Sequence, residues 1–370
     1  MKIGLPKEIK NHEYRVGMVP NVIRDLVQKG HTVYVQQGAG EGIGAKDADY
    51  QAAGAILVDT AEAVFEQAEL IVKVKEPQLS ECRWLKEHHL LFTFLHLAPD
   101  PKQAAALQAS GCMAIAYETV TDGWGSLPLL RPMSEIAGRM SIQVGAHALE
   151  KAQGGRGVLL GGVPGVPAAN VLILGGGVVG SNALRIAVGM EATVTVLDRS
   201  IDRLRELDRT FGSQIRTLYS TTEALEAHAL TADLIIGAVL IPGAAAPKLI
   251  QRNILSKMKP GAVLVDVSID QGGCFETSRP TTFSDPTYVV DNIIHYCVAN
   301  MPGGAARTSA FALSNATAQY IMELADKGGP QACRDNPHLR NGLNVYQGHI
   351  VHKAVAEALG KPYVEPMSLL

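Results

Sequence analysis

The stretch Val171-Leu172-Ile173-Leu174-Gly175-Gly176-Gly177-Val178-Val179-Gly180 decides how this chain is read. Four apolar residues run directly into a G-x-G-x-x-G pattern made by Gly175, Gly177 and Gly180, and a helical pattern follows. Strand, glycine turn and helix in this order open a βαβ unit that holds a dinucleotide. The first glycine suits a tight turn, the second lets a diphosphate approach the backbone, and the third allows close helix–strand packing. The helix N-terminus adds amide donors and the positive end of its dipole. Asp198 ends the next apolar run, Thr193-Val-Thr-Val-Leu-Asp, 23 residues beyond Gly175. A carboxylate there accepts hydrogen bonds from a ribose and repels a 2′-phosphate, which favours NAD over NADP, with adjacent Arg199 as the opposing consideration. The alternative, a glycine-rich packing turn beside an exposed Asp, does not account for strand, helix and acid together.

Working outward, Val171–Leu174, Thr193–Leu197, Gln214–Tyr219, Leu234–Ile236 and Val263–Val267 read as strands of one α/β unit. Upstream, Lys2–Leu5, His31–Gln36, Glu69–Val74, His89–Leu95 and Met113–Glu118 read as strands of another. Helical patterns alternate with them: one opens at Pro20, and others cover Thr60–Ala68 and Pro101–Ser110. Glu135–Gln153 reads as one long helix with Ser134 as its N-cap. Thr308–Lys327 reads as another, stopped by Gly328-Gly329-Pro330, and Val345–Leu359 as a last one. Two long helices bracketing the second unit imply that the chain leaves the first domain, builds the second and returns. The fold class is therefore α/β, with two Rossmann-like domains built on parallel sheets. Residues 1–133 and 308–370 are expected to make one domain and 134–307 the inserted NAD domain.

Bulk composition agrees. A chain of 370 residues exceeds what one core usually organises. With 47% hydrophobic and 19% charged residues it reads as globular. A net charge of −3 without a basic cluster gives no footprint for nucleic acid. Cys82, Cys112, Cys274, Cys297 and Cys333 are scattered, with no C-x-x-C pair, and suit inert thiols in a reducing cytosol. The N-terminus lacks the apolar segment of a signal peptide. The stretch between Arg156 and Arg185 carries no charge, but its glycines with Pro164 and Pro167 indicate loops and a buried strand, so no membrane span is expected.

Open α/β sheets place ligands beyond the carboxyl ends of their strands. Arg15 follows the first strand, Lys75 closes Leu70-Ile-Val-Lys-Val-Lys, and His96 closes Leu90-Leu-Phe-Thr-Phe-Leu-His. Asp270 lies just past Ala262-Val-Leu-Val-Asp-Val-Ser-Ile-Asp. Their shared placement at strand ends predicts convergence on a cleft facing the nicotinamide. Singly, each has a plainer reading: Arg15 and Lys75 as solvated charges, His96 as a hydrogen-bonded structural residue, Asp270 as a turn former before Gly272-Gly273. His88-His89 and His349/His352 lack the partners of a metal site, and Glu323 has Lys327 one turn later as a salt-bridge partner. No metal is expected.

Several segments resemble the alanine dehydrogenase family over nearly the whole chain. They are Gly4-Leu-Pro-Lys-Glu with Glu13-Tyr-Arg-Val, Val72-Lys-Val-Lys-Glu-Pro77, Phe94-Leu-His-Leu-Ala98 and Pro132-Met-Ser-Glu-Ile-Ala-Gly-Arg139. Leu174–Gly180, Val265-Asp-Val-Ser-Ile-Asp-Gln-Gly-Gly273 and Val298-Ala-Asn-Met-Pro-Gly303 complete them. The resemblance implies a discontinuous substrate domain, an inserted NAD domain and a cytoplasmic homohexamer. It also implies reversible oxidative deamination of L-alanine to pyruvate and ammonia. Arg15 and Lys75 match its substrate-binding positions, and His96 and Asp270 its catalytic ones. Ser134, Gly175, Gly177, Val178, Val179, Gly180, Asp198, Arg203, Ser220, Val239, Leu240, Val267, Ile269, Arg279, Val298, Asn300 and Met301 match cofactor contacts. Lys327 departs from a histidine that some relatives use for a metal. Rival readings are the NAD-binding component of a transhydrogenase, a saccharopine dehydrogenase, and an NAD-responsive module without catalysis.

Overall fold

The apolar runs before residue 117 form β1 (Lys2–Leu5), β2 (Thr32–Gln36), β3 (Ile56–Val58), β4 (Leu70–Val72), β5 (Leu90–Thr93) and β6 (Met113–Ala116). They pair in parallel in the order β6-β5-β4-β1-β2-β3. The next seven are β7 (Asn170–Leu174), β8 (Thr193–Asp198), β9 (Ile215–Tyr219), β10 (Leu234–Gly237), β11 (Val263–Asp266), β12 (Thr287–Val290) and β13 (Ile293–Tyr296). Their order is β12-β13-β11-β10-β7-β8-β9. The chain then returns to the first sheet with β14 (Leu343–Tyr346) and β15 (His349–Ile350), added beyond β6. This computed structural model describes residues 1–239 and 246–370. The chain divides into two units, Met1–Met133 with Ala305–Leu370, and Ser134–Gly304.

Both sheets are mixed at one edge. β12 runs antiparallel to β13, and β14 runs antiparallel to both β6 and β15. These hairpins turn on residue pairs with positive φ, Asp291-Asn292 and Gln347-Gly348, as two-residue hairpin turns require. The helix expected over Val345–Leu359 is thereby corrected. Gln347-Gly348 reverses the chain between β14 and β15, and only Lys353–Leu359 is helical. Ser134 is also corrected as an N-cap. The helix begins at Arg131, with Pro132 in its first turn where no amide donor is needed, and it ends at Ala148, short of Gln153.

Each central sheet is buried on both faces, which is why its strands read as unbroken apolar runs. Leu70, Ile71 and Val72 of β4, and Val263, Leu264 and Val265 of β11, are fully buried. In the second unit the Arg131–Ala148 helix approaches through glycines. A Cβ on Gly138 would stand 2.2 Å from the Val179 carbonyl oxygen, and one on Gly145 would stand 2.6 Å from Leu234. In the first unit the Ala306–Lys327 helix buries Leu313, Ile321 and Leu324, and Ser314 Oγ accepts the Val19 amide (3.1 Å).

The strand order reverses between β1 and β4 in one unit and between β7 and β10 in the other. Loops at such a switch point diverge and leave a crevice beyond the strand ends. The charge-free stretch after Arg156 folds into loop, β7 and the helix Val178–Gly189, and no helix among the described residues is long and apolar enough to cross a membrane.

Candidate active site

In the second unit, β7 leads into the glycine turn. Gly175 has φ +97°, and Gly177 is the N-cap of the following helix. A Cβ at Gly180 would lie 1.8 Å from the Gly175 carbonyl oxygen, so only glycine permits this closeness. A Cβ at Gly177 would meet no protein atom within 4 Å, which leaves the backbone open to a ligand. The amides of Val178, Val179 and Gly180 head the helix, where intrahelical acceptors are lacking.

Asp198, at the end of β8, accepts the amides of Gly176 (2.6 Å) and Ser200 (2.8 Å). Arg203 Nε donates to the Gly176 carbonyl (2.5 Å), and the Ser220 amide donates to the Asp198 carbonyl (3.0 Å). The turn is thus held from both sides, and Val239 lies against it, 3.1 Å from the position of a Gly175 Cβ. An open turn at a helix start, with a carboxylate at the tip of the neighbouring strand, fits the diphosphate and ribose of NAD.

The other expected cofactor positions fall on neighbouring segments of the unit. Val239 offers its carbonyl to Ser268 Oγ (2.7 Å), which ties the β10 exit to the β11 exit carrying Val267, Ile269 and Asp270. Leu240 lies outside the described residues. Arg279 stacks over the Tyr288 ring at 4.0 Å. Val298 and Met301 are buried, and Asn300 between them has φ 63°. Ser134 is half-buried within the first turn of its helix.

Asp270 is exposed in the one-turn helix Ile269–Gln271, which Gly272 closes at φ 86°. It stands in a turn before two glycines, as the plainer reading supposed, yet its carboxylate makes no hydrogen bond among the described residues. What organises that turn is Asp266, absent from the expected set. Fully buried, it accepts the amides of Ser268 (3.1 Å) and Cys274 (2.9 Å) and the Ser278 hydroxyl. Burial pushes its carboxyl above the usual range, against these hydrogen bonds.

In the first unit the plain reading of Arg15 as a solvated charge is excluded, because it is 2% exposed. Glu13 clamps it with Oε1 on Nε (2.7 Å) and Oε2 on Nη2 (2.6 Å), and Nη1 approaches Met133 Sδ at 3.1 Å. This is the bidentate geometry that a planar guanidinium favours. Lys75 is half-buried, and its carbonyl accepts Thr93 Oγ1 (2.9 Å).

A buried ion triad lies beneath Lys75. Lys73, with no exposure, pairs with Glu8 (3.0 Å) and Glu81 (2.9 Å). Glu8 also accepts the Val74 amide (2.6 Å), and Glu81 accepts the Gln78 amide (2.8 Å). Burial pushes Glu8 up against the pull of Lys73. Burial pulls Lys73 down, but the two carboxylates outweigh it and hold the ammonium above its ordinary value. Glu8 closes the Gly4-Leu-Pro-Lys-Glu segment and carries no assigned role in the sequence analysis. A lysine inside an apolar strand exit was the available signal, since a buried charge demands a partner.

His96 leaves β5 with φ 49°, a left-handed conformation uncommon outside glycine. Its ring is exposed, stacks parallel to Phe94 at 5.7 Å, and makes no hydrogen bond among the described residues. A structural, hydrogen-bonded histidine is not what is found here. His89 is of that kind, bonded to Phe65 O (2.8 Å) and the Lys86 amide (2.8 Å). Lys327 pairs with Glu323 (3.2 Å) and Asp335 (3.0 Å), and no group of three or more metal-ligating side chains stands together among the described residues. All five cysteines are buried thiols.

Known proteins match the chain over its full length. The chain matches the alanine dehydrogenase/PNT N-terminal domain over residues 4–137 and the C-terminal domain over residues 141–353. It is 58% identical to the alanine dehydrogenase of Halomonas elongata and 54% identical to that of Mycobacterium tuberculosis, each over the full length of both chains. A solved L-alanine dehydrogenase superposes with TM-score 0.95 at 48% identity, covering 97% of this chain and 99% of the other. A transhydrogenase from Sinorhizobium meliloti shares the fold at TM-score 0.82 and 22% identity. With both domain models and full-length relatives matched, this chain belongs to the alanine dehydrogenase/PNT family.

Proposed function

We propose that the chain catalyses the NAD-dependent, reversible oxidative deamination of L-alanine to pyruvate and ammonia. The observation that carries this reading is the placement of Arg15, Lys75 and His96 after β1, β4 and β5, around one switch point. Full-length identity to alanine dehydrogenases supports the substrate. The first unit serves as the substrate domain and residues 134–304 as the cofactor domain.

When bound, NAD supplies the hydride acceptor. Arg15 and Lys75 hold the substrate carboxylate and carbonyl oxygen, with Glu13 fixing the plane of the Arg15 guanidinium. Loss of hydride from the alanine Cα leaves an imine, to which water adds before ammonia departs. His96, an exposed imidazole, exchanges the proton on the substrate oxygen. Asp270 orients the attacking water and, in reverse, ammonia. A pocket for a small amino acid, a homohexamer and a cytoplasmic location complete the proposal.

Absorbance in the NADH band with NAD and L-alanine, run beside serine, glutamate and lysine, tests it. Formation with alanine, reversed by pyruvate plus ammonia, is expected. His96→Ala should abolish turnover with NADH binding retained, and loss of NADH binding would overturn its assigned role.

A further inference from the structure

The backbone of His96 is left-handed, and a residue outside the expected set anchors its amide. Glu118 lies in the short turn Tyr117–Thr119 directly after β6, the strand paired with β5. Its carboxylate reaches across to the β5 exit. Oε1 accepts the His96 amide at 2.6 Å, and the Leu95 amide lies 3.2 Å from both oxygens. Both bonds fix the peptide plane between Leu95 and His96, and the φ of 49° at His96 then sets the direction in which its Cα–Cβ bond leaves that plane. A left-handed histidine is strained, and the anchored peptide plane is what the surroundings supply to keep the bend in register.

The same carboxylate does not hold the imidazole. Oε1 is 3.9 Å from Nδ1, beyond hydrogen-bond reach, and the ring lies flat on Phe94. This differs from a catalytic triad, in which an acid orients the histidine by bonding its ring nitrogen. We propose that Glu118 is a positioning residue for His96 that works through the main chain, setting where the Cα–Cβ bond points, while Phe94 sets the plane of the ring. The inference rests on the reading of His96 as the proton-transfer residue.

The test separates reach from charge by steady-state kinetics on the full-length protein, with NADH titration and melting curves for each variant. Glu118→Asp keeps the charge but is one methylene too short to span both amides. Its kcat should fall about a hundredfold, the scale of an ångström-sized misplacement, with KM for pyruvate and NADH affinity retained. Glu118→Gln loses the charge but keeps an oxygen at the same reach, and its neutral bonds should rescue kcat to within about tenfold of the parent. Glu118→Ala should match the Asp variant; if it does not fold, the Asp and Gln pair decides alone. Parent-like turnover in Glu118→Asp, or a Gln variant as impaired as the Asp one, would overturn the inference. His96→Ala in parallel distinguishes the two failures. If it turns over normally, the catalytic reading itself falls. If it is inactive while Glu118→Asp is unimpaired, only the positioning role falls.

Discussion

Replacing Gly177 and Gly180 separately by alanine should produce two different defects from one motif. At Gly180 the new Cβ would lie 1.8 Å from the Gly175 carbonyl oxygen, more than about 1.5 Å short of an ordinary contact. The blocking atom is backbone, so the turn and the helix must part. Alanine normally gains about 1 kcal/mol over glycine inside a helix. Here overpacking of about 1–3 kcal/mol should reverse the sign and lower the melting temperature without any ligand. At Gly177 the Cβ meets nothing within 4 Å, and the backbone, at φ −62° and ψ −161°, suits any residue. The ligand-free protein should then lose only about 0.5 kcal/mol, the penalty of alanine at an N-cap. The added methyl nevertheless stands where a diphosphate approaches the helix start. A clash of about 1–3 kcal/mol there weakens NADH binding by about five- to 150-fold. Fluorescence titration with NADH and thermal melts of the two variants measure both quantities. A Gly177→Ala protein that binds NADH like the parent would refute the placement of the diphosphate over this turn. A Gly180→Ala protein as stable as the parent would refute the packing argument.

Acid should destabilise the fold through His295, which is fully buried with Nε2 on Thr277 Oγ1 (2.7 Å) and Nδ1 on the Ile293 carbonyl (3.1 Å). Burial pulls its imidazole down to about 4 from 6.5, so the native state binds fewer protons than the unfolded chain between those values. Its contribution is complete above pH 6.5 and lost as pH falls toward 4, about 2 kcal/mol of it by pH 5. Denaturant unfolding of parent and His295→Gln at pH 7.5 and 5.0 checks this, and a stability gap that does not narrow at pH 5.0 would contradict it. Glu13→Leu should destabilise the chain by about 3–5 kcal/mol, because it removes the carboxylate that clamps the buried Arg15 guanidinium. Unfolding at the parent midpoint would show instead that Arg15 finds another partner.

Much of this protein was legible in one dimension because its motifs are local. Strand, glycine turn, helix and Asp198 lie within a single βαβ unit, where spacing along the chain translates directly into spacing in space. The central strands were readable as well, since burial on both faces leaves only apolar residues to use. Edge strands were harder. β3 and the two hairpins are short, and Gln347-Gly348 and Asp291-Asn292 declare their turns only through positive φ. Ser134 was misplaced because a proline can begin a helix ahead of a better capping residue. Arg15, Lys75 and His96 could be nominated from their positions after strands, but not the groups that govern them. Glu13 lies near Arg15 in sequence, whereas Glu8 meets Lys73 across 65 residues and Glu118 meets His96 across 22. The sequence by itself determined the α/β alternation, the glycine turn after β7 and the candidate reactive side chains, all set by periodicity and local spacing. Only the tertiary structure decided which carboxylates anchor the strand exits that carry them, because a buried polar group takes its partner from whatever segment the fold brings beside it.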